Sequence, residues 1–235
     1  LFLHLPIYMY DGDCVTITLE GNKNVKIVRK KNFKTHRYNT KLSFIPAERC
    51  LTSAINNIDK NYKSSDLDIL FNYIMEWNEA REAFTKDNPL DLAFDKQMVY
   101  YHDTNGSDMI TIKDKGITIG TFYASSGMQS AMPILALVGY ALSLVGTSGK
   151  KSPMDYIRAI SKVLSTNIDE VSNLSNETLN SIRQLLSYKS MQLYIEEPEQ
   201  NLFPESQVEL VYDIVKKIKQ AESKTQYPSH LVMTT

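Results

Sequence analysis

Two adjacent carboxylates near the end of the chain are the residues best suited to do chemistry. Glu196 and Glu197 directly follow a compact apolar run at 191–195, which ends in three apolar residues (LYI), and Pro198 comes next. A short apolar run that ends at a proline is typical of a buried strand. Because ligands bind at the carboxyl ends of parallel strands, the pattern predicts carboxylates at a sheet edge. Composition alone leaves open a solvated acidic turn.

The two acids are expected to play different roles. Successive side chains of a strand point to opposite faces, so Glu196 and Glu197 cannot do the same job. One carboxylate can hold a hydrated Mg²⁺ ion, and the other can point at a water molecule.

A second segment with chemical potential is Ser125-Ser126-Gly127, which precedes a predicted buried helix at 130–145. At a helix N-terminus, Ser126 and Gly127 would offer a hydroxyl, free backbone N–H groups and the positive end of the helix dipole. These groups suit a phosphate. The alternative is an ordinary helix N-cap.

The elements that must position these residues change in character along the chain. Residues 14–38 alternate around a polar loop at 20–24, which predicts an antiparallel hairpin. Within it, 26–34 is strongly basic, either as a solvated edge strand or as a strip that contacts phosphate or DNA. The other predicted elements are a strand at 41–45, a helix-rich stretch at about 50–95, strands at 98–101, 109–113 and 117–123 with turns at 105–106 and 115–116, helices within 150–190, a helix at 208–221 and a strand at 231–234.

This order predicts an α/β fold. The closing third reads strand, turn, helix, strand, as parallel α/β proteins do. We therefore expect an antiparallel β lobe at 1–49, a helical lobe at 50–97, and a region at 98–235 with strands, the buried helix, a helical insertion at about 150–188 and the carboxylate strand.

Composition narrows the class of protein. The 235 residues carry a net charge of −1, and 43% of them are hydrophobic. Such a chain can bury a sizeable core, which excludes wholesale disorder, and two cysteines exclude a disulfide-stapled miniprotein. The near-zero charge argues against a strongly basic nucleic-acid module. The longest apolar stretch, 132–145, is shorter than the ~20 residues of a membrane span, so we expect a cytoplasmic protein without a membrane partner.

Three motifs resemble those of one family. LYIEEPEQNLFP (193–204) resembles the Walker B strand and D-loop of ABC ATPases, most closely the branch of the RecF- and SMC-like proteins, the "overcoming lysogenization defect" ATPases and their AAA-labelled bacterial relatives. SSGMQS (125–130) resembles that branch's signature motif. FIPAER (44–49) resembles a strand-ending motif of the same ATPases, at the position of the Q-loop.

The resemblance implies a P-loop NTPase (ABC ATPase-like) fold that binds ATP and Mg²⁺ as a homodimer with ATP between the subunits. It implies that Glu197 is the general base and that Glu196 helps to hold Mg²⁺ through water. The remaining implied positions are Ser126, Gly127, Met128 and Gln129 against the ATP of the opposite subunit, Asn201 and Leu202 on the D-loop, and Glu48 and Arg49 at the Q-loop-like position.

The sequence also departs from the family. Glu196 stands where many relatives have Asp, and Met128 replaces a glycine of the transporter signature. The segment at 146–152 (GTSGKKS) lacks P-loop spacing and follows a helix, which indicates a helix-ending linker. The resemblance therefore predicts that the P-loop lies upstream of Leu1, that the switch histidine lies beyond Thr235, and that this chain alone is inactive.

The function implied is an ATPase that opens and closes a dimer to gate an effector protein or DNA-acting partner in DNA repair or phage defence. Two alternatives stay open. One is a nucleotide-gated scaffold with negligible turnover, in which the 150–188 insertion recruits the partner. The other is an enzymatically inactive interaction fragment.

Overall fold

The computed structural model describes residues 7–12, 14–20, 24–31, 39–55, 69–92, 95–147, 156, 160–161 and 186–234. The chain divides into two compact units, Leu1–Tyr38 and Asn39–Thr235. The predicted insertion at 150–188 lies almost entirely outside the described residues.

The first unit is an antiparallel sheet with the order β1-β2-β3. Its strands are β1 (Ile7–Asp11), β2 (Val15–Glu20) and β3 (Asn24–Arg29). The β2–β3 pair confirms the predicted hairpin, whereas β1 was not predicted. Residues 25–29 of β3 are exposed at the edge of the sheet, which fits both the solvated edge strand and the phosphate-contacting strip.

The second unit is built on a parallel sheet. Its strands are β4 (Asn39–Ile45), β9 (Tyr188–Glu196) and β10 (His230–Thr234). The order is β10-β9-β4, and both neighbours run parallel to β9. Strands were predicted at all three positions, and the structure extends β9 at both ends. The α/β class is confirmed at this level.

Helices pack around this sheet. They are α1 (Leu51–Ala54) after a 3-10 turn (Ala47–Cys50), α2 (Ile69–Arg81), α3 (Ser126–Leu144) and α4 (Pro204–Thr225). Helix α3 is apolar nearly all round and contacts α2, α4, β4 and β9. Such a helix belongs in a core, and Ile134, Leu135 and Val138 are fully buried.

Among the described helices, α3 is long and apolar enough to cross a membrane by length and composition alone. However, 67% of its 18-residue apolar segment is buried inside the protein. This burial is that of a core helix, as predicted for the apolar stretch. The helix starts earlier than expected, at Ser126.

An antiparallel sheet with the order β5-β6-β7-β8 completes the second unit. Its strands are β5 (Leu90–Leu92), β6 (Asp95–His102), β7 (Asp108–Ile112) and β8 (Ile117–Gly120). Gly106 and Gly116 have φ of 82° and 62°, which confirms both predicted turns.

One part of the predicted helical stretch is wrong. Residues 90–92 and 95–97 belong to strands β5 and β6. Within the predicted stretch at 50–95, the last described helix is therefore α2, which ends at Arg81. Leu90 and Leu92 are buried and Asp91 is exposed. This two-residue period is that of a strand, and Pro89 separates it from the preceding turn.

Candidate functional site

The carboxyl ends of the three parallel strands meet at one edge. In the β9–β10 register Glu196 pairs with Thr234, and in the β4–β9 register Ile195 pairs with Ile45. The amide of Glu197 donates to the carbonyl oxygen of Thr234 at 2.8 Å. Both predicted carboxylates therefore lie at this edge.

The two carboxylates occupy different environments. Glu196 is half-buried, and its Oε2 accepts a hydrogen bond from the amide of Ala47 at 3.3 Å. Glu197 is exposed and has a φ of 43°. This left-handed backbone costs a non-glycine residue about 1–2 kcal/mol and turns the chain out of the strand. Because β9 ends at Glu196, the different environments of the two acids come from this turn rather than from the predicted strand alternation.

Arg49 holds the edge together. Its Nε donates to the carbonyl oxygen of Ser130 at 2.9 Å, and its Nη1 donates to the carbonyls of Pro46 at 3.2 Å and Glu196 at 2.7 Å. Its Nη2 donates to the hydroxyl of Ser130 at 2.9 Å and to the carbonyl of Glu197 at 2.6 Å. A guanidinium has five N–H donors, and here each of them has an acceptor.

The surroundings of Arg49 are enclosed. Its side chain has no exposed surface, and burial lowers the pKa of the guanidinium; arginine nevertheless stays protonated in proteins. The carbonyl oxygen of Arg49 accepts from the hydroxyls of Tyr73 at 3.0 Å and Thr52 at 2.8 Å. Burial raises the pKa of Tyr73, so its phenol remains a donor.

The two residues of the Q-loop-like position thus differ. Arg49 is buried and committed to protein acceptors, while Glu48 is exposed. Only Glu48 has a side chain free to meet a ligand from solvent.

The N-terminus of α3 is capped by Ser125, whose Oγ accepts from the amide of Met128 at 3.4 Å. Ser126 is the first helical residue and is exposed. Its hydroxyl has no hydrogen bond to the part of the chain that the structure describes. The cap is therefore one residue earlier than the Ser126–Gly127 site that the sequence suggested.

The signature-like and D-loop-like segments touch. A Cβ atom on Gly127 would lie 2.8 Å from the carbonyl oxygen of Asn201 and 3.4 Å from Leu202 Cδ2. Asn201 has a φ of 62°, so the loop turns sharply where it meets α3. The Gln129 side chain donates to the carbonyls of Thr121 and Phe122 at 3.2 and 2.8 Å, which holds a 3-10 turn at Thr121–Tyr123 against the start of the helix.

The predicted helix-ending linker is confirmed where it is described. Helix α3 ends at Leu144, and Gly146 follows with a φ of 71°, the conformation of a chain that leaves a helix. Residues 148–152 of the P-loop-like text lie outside the described residues.

The carboxylate oxygens at this edge suit a cation that receives most of its ligands from water and from a bound phosphate. In residues 7–234, where described, no three His, Cys, Asp or Glu side chains group closely enough to hold a metal ion. Mg²⁺ needs only one or two protein carboxylates when waters and substrate phosphates complete its shell. Glu196 fits that use.

Sequence reasoning did not assign the observed roles to several residues of this edge, although Ser125 and Ser130 stand within the SSGMQS motif. Ser130, Tyr73 and Thr52 complete the surroundings of Arg49, and Ser125 caps α3. One signal was present: Ser130 is a polar residue at the start of the predicted buried helix at 130–145, and a buried polar residue usually has a partner.

Comparison with family models, curated proteins and solved structures gave no match for this chain.

Proposed function

We propose that this chain is the core of an ATPase of the RecF/SMC-like ABC class, with a P-loop NTPase fold and a cytoplasmic location. The observation that carries the proposal is the position of Glu196 and Glu197 at the carboxyl edge of a parallel sheet. This edge is bridged by Arg49 to the first turns of α3. Arg49 thus connects two motifs far apart in the sequence, the carboxylate-bearing strand end and the start of α3, which in an ABC ATPase dimer would act on two different nucleotides.

The proposed roles follow from the environments of the two acids. Glu197 is exposed just beyond the strand and acts as the general base that orients the attacking water. Glu196, half-buried at the strand end, holds Mg²⁺ through water. When bound, the ion neutralises charge on the phosphates.

The N-terminus of α3 would bind the nucleotide of a second copy. Its free N–H groups and positive dipole end favour an anion, and the exposed Ser126 hydroxyl adds a donor. Gly127 and Met128 bring the backbone to this surface, and Gln129 fixes the turn before it. Asn201 and Leu202, which contact Gly127, would lie at the same dimer interface.

The proposal requires a P-loop from outside residues 1–235, because GxxxxGK[ST] does not occur in them. In RecF/SMC-like ABC ATPases, the P-loop precedes the first hairpin. Hydrolysis would open the dimer and so gate an effector protein or a DNA-acting partner in repair or antiviral defence.

The test is Glu197→Gln in the whole protein, with ATP-driven dimerisation followed by light scattering and turnover followed by phosphate release. We expect ATP binding and a persistent dimer, with phosphate release lower by about 100-fold or more. Glu209→Gln, on the exposed side of α4, is the matched control and should hydrolyse ATP normally.

Each other outcome is informative. Normal turnover in Glu197→Gln would remove the general-base role. A wild-type protein that binds ATP and dimerises but releases no phosphate would be the nucleotide-gated scaffold. A protein that binds no ATP would refute the proposal.

A further inference from the structure

Arg49 contacts three elements that are distant in sequence. Its acceptors are Pro46 after β4, the Glu196 and Glu197 carbonyls at the end of β9, and both the backbone and the side chain of Ser130 in α3. None of these acceptors is a carboxylate. The guanidinium therefore uses its hydrogen bonds to fix backbone carbonyls and one hydroxyl, and the charges of Glu197 and Glu199 act on it without a hydrogen bond.

The geometry leaves little freedom. The donors of a guanidinium are held in a rigid planar fork, so the Ser130 acceptors and the Glu196–Glu197 peptide cannot move apart without breaking bonds. Four of the five bonds join α3 to the end of β9, two on each side. A shift of the first turns of α3 would therefore displace the backbone of Glu196 and Glu197, which carries both carboxylates.

We propose that Arg49 is a positioning residue that couples the N-terminal turns of α3 to the Glu196–Glu197 peptide. A nucleotide seated at the α3 N-terminus thereby sets the position of Glu197 in the same subunit. This inference rests on the proposed function. Arg49 itself touches no nucleotide, since it has no exposed surface and no spare donor.

The coupling depends on arginine chemistry. A lysine has three donors at one point and cannot reach acceptors on both sides of the site. Arg49→Lys keeps the positive charge but loses the bridge, so it separates the effect of geometry from that of charge.

The experiment uses the whole protein with Arg49→Lys and measures kcat and KM for ATP together with ATP affinity. We expect kcat to fall by about 100-fold, the loss typical of a misplaced catalytic group. KM and affinity should change far less than kcat, because Arg49 itself makes no contact with the nucleotide. An unchanged kcat, or a parallel loss of ATP affinity, would overturn the proposal.

Amide hydrogen exchange without nucleotide provides a second readout. In Arg49→Lys, segments 126–131 and 196–202 should both exchange faster than in wild type. Faster exchange in only one of them would mean that Arg49 does not couple them. This readout stands even if the wild-type protein hydrolyses no ATP, so failure of the proposed function is distinguishable from failure of the coupling.

Two further variants guard against a general folding defect. Arg81→Lys changes a buried arginine that contacts Asp108 and Asn78 and should leave kcat and both segments unchanged. Ser130→Ala removes a single acceptor of Arg49 and should lower kcat by a smaller factor, about 10-fold, with KM unchanged. A wild-type kcat in Ser130→Ala combined with a folding failure in Arg49→Lys would count against the coupling.

Discussion

Lys41 on β4 and Glu76 on α2 form an ion pair inside the protein, with 3.0 Å between Nζ and Oε1 and side-chain exposures of 4% and 11%. The hydroxyl of Ser43, two residues along the same strand, donates to the other carboxylate oxygen of Glu76 at 2.8 Å. Alternate side chains of β4 thus bind one carboxylate of α2. This contact fixes the helix on the strand that ends at the candidate site.

Lys41→Met should destabilise the protein strongly, because it removes the Lys41 ammonium from a nearly buried carboxylate. Loss of one partner of a buried pair costs about 3–5 kcal/mol, while apolar replacement of both is often near neutral. Urea unfolding of Lys41→Met and of the double variant Lys41→Met/Glu76→Gln measures this difference. We expect the double variant to recover much of the loss.

The exposed ion pair between Lys113 and Asp91 is the control, with side-chain exposures of 46% and 79%. Lys113→Met should cost less than about 1 kcal/mol. Equal effects of Lys41→Met and Lys113→Met would show that burial does not govern the first pair.

Gly127→Ala should lower stability although alanine normally favours a helix. The gain in helix propensity is about 1 kcal/mol, but the new methyl group would meet the Asn201 carbonyl, a backbone atom that cannot easily move away. Overpacking costs about 1–3 kcal/mol, so we expect a net loss of about 1 kcal/mol in chemical unfolding. In Gly120→Ala the added atom meets Tyr123 at an ordinary 3.7 Å, and no such loss should appear. A stabilised Gly127→Ala would refute the close contact.

Ser125→Ala and Ser126→Ala should have opposite patterns of effect. Ser125 caps α3, so its loss should cost about 0.5–1 kcal/mol. Ser126→Ala should stay within about 0.5 kcal/mol of wild type, yet weaken ATP-driven dimerisation under the proposed function. Thermal unfolding and light scattering on the two variants separate the roles. A larger stability loss in Ser126→Ala would contradict the assignment of the cap.

Glu222 should make stability depend on acidic pH. The backbone N–H of Ser229 and the Lys219 ammonium donate to its carboxylate at 2.8 and 3.0 Å, and these bonds lower its pKa, the Ser229 bond most. A carboxyl whose pKa is lower in the folded state stabilises that state above its unfolded pKa of about 4.3 and loses this contribution as pH falls through the folded pKa.

The measurement is the free energy of unfolding of wild type and Glu222→Gln between about pH 6 and pH 3, on either side of the unfolded pKa. Wild type should be the more stable at the upper end, and the difference should shrink on acidification. The pKa of Asp11 is also lowered, by the Lys30 and Thr16 hydrogen bonds, but Asp11 is common to both proteins and cancels. A difference that grows towards low pH would refute the assignment.

The closing third of the fold was predictable because its signals are local. An apolar run ending in acids and proline predicts β9, the 3.6-residue period predicts α4, and the next apolar run predicts β10. Residues 90–95 misled because the stretch is short, and two leucines two positions apart are too few to establish a strand period directly after a long helical pattern. The P-loop NTPase assignment stays a prediction, since three parallel strands with helices establish only the α/β class.

The centre of the candidate site was less predictable because its contacts are long-range. Arg49 was singled out only through the motif FIPAER, and its acceptors lie 81 to 148 positions away, apart from Pro46. No local pattern relates Arg49 to Ser130. The cap at Ser125 was missed for a different reason: two serines in succession both satisfy the sequence preference for an N-cap.

The central place of β9 has a consequence for how the protein is made. Thr40 on β4 contacts Ser190 on β9 across 150 positions of sequence. At ~5–20 residues per second, a ribosome needs roughly 8–30 s to synthesise the chain between these two residues. Strand β4 has no parallel partner in β9 until then. In the last third of that time the apolar helix α3, which ends at Leu144, is complete without β9 or α4 to cover it. Nascent chains should therefore bind chaperones until β9 and α4 emerge, and refolding of the second unit should be slow for its size because its sheet closes through such distant pairs.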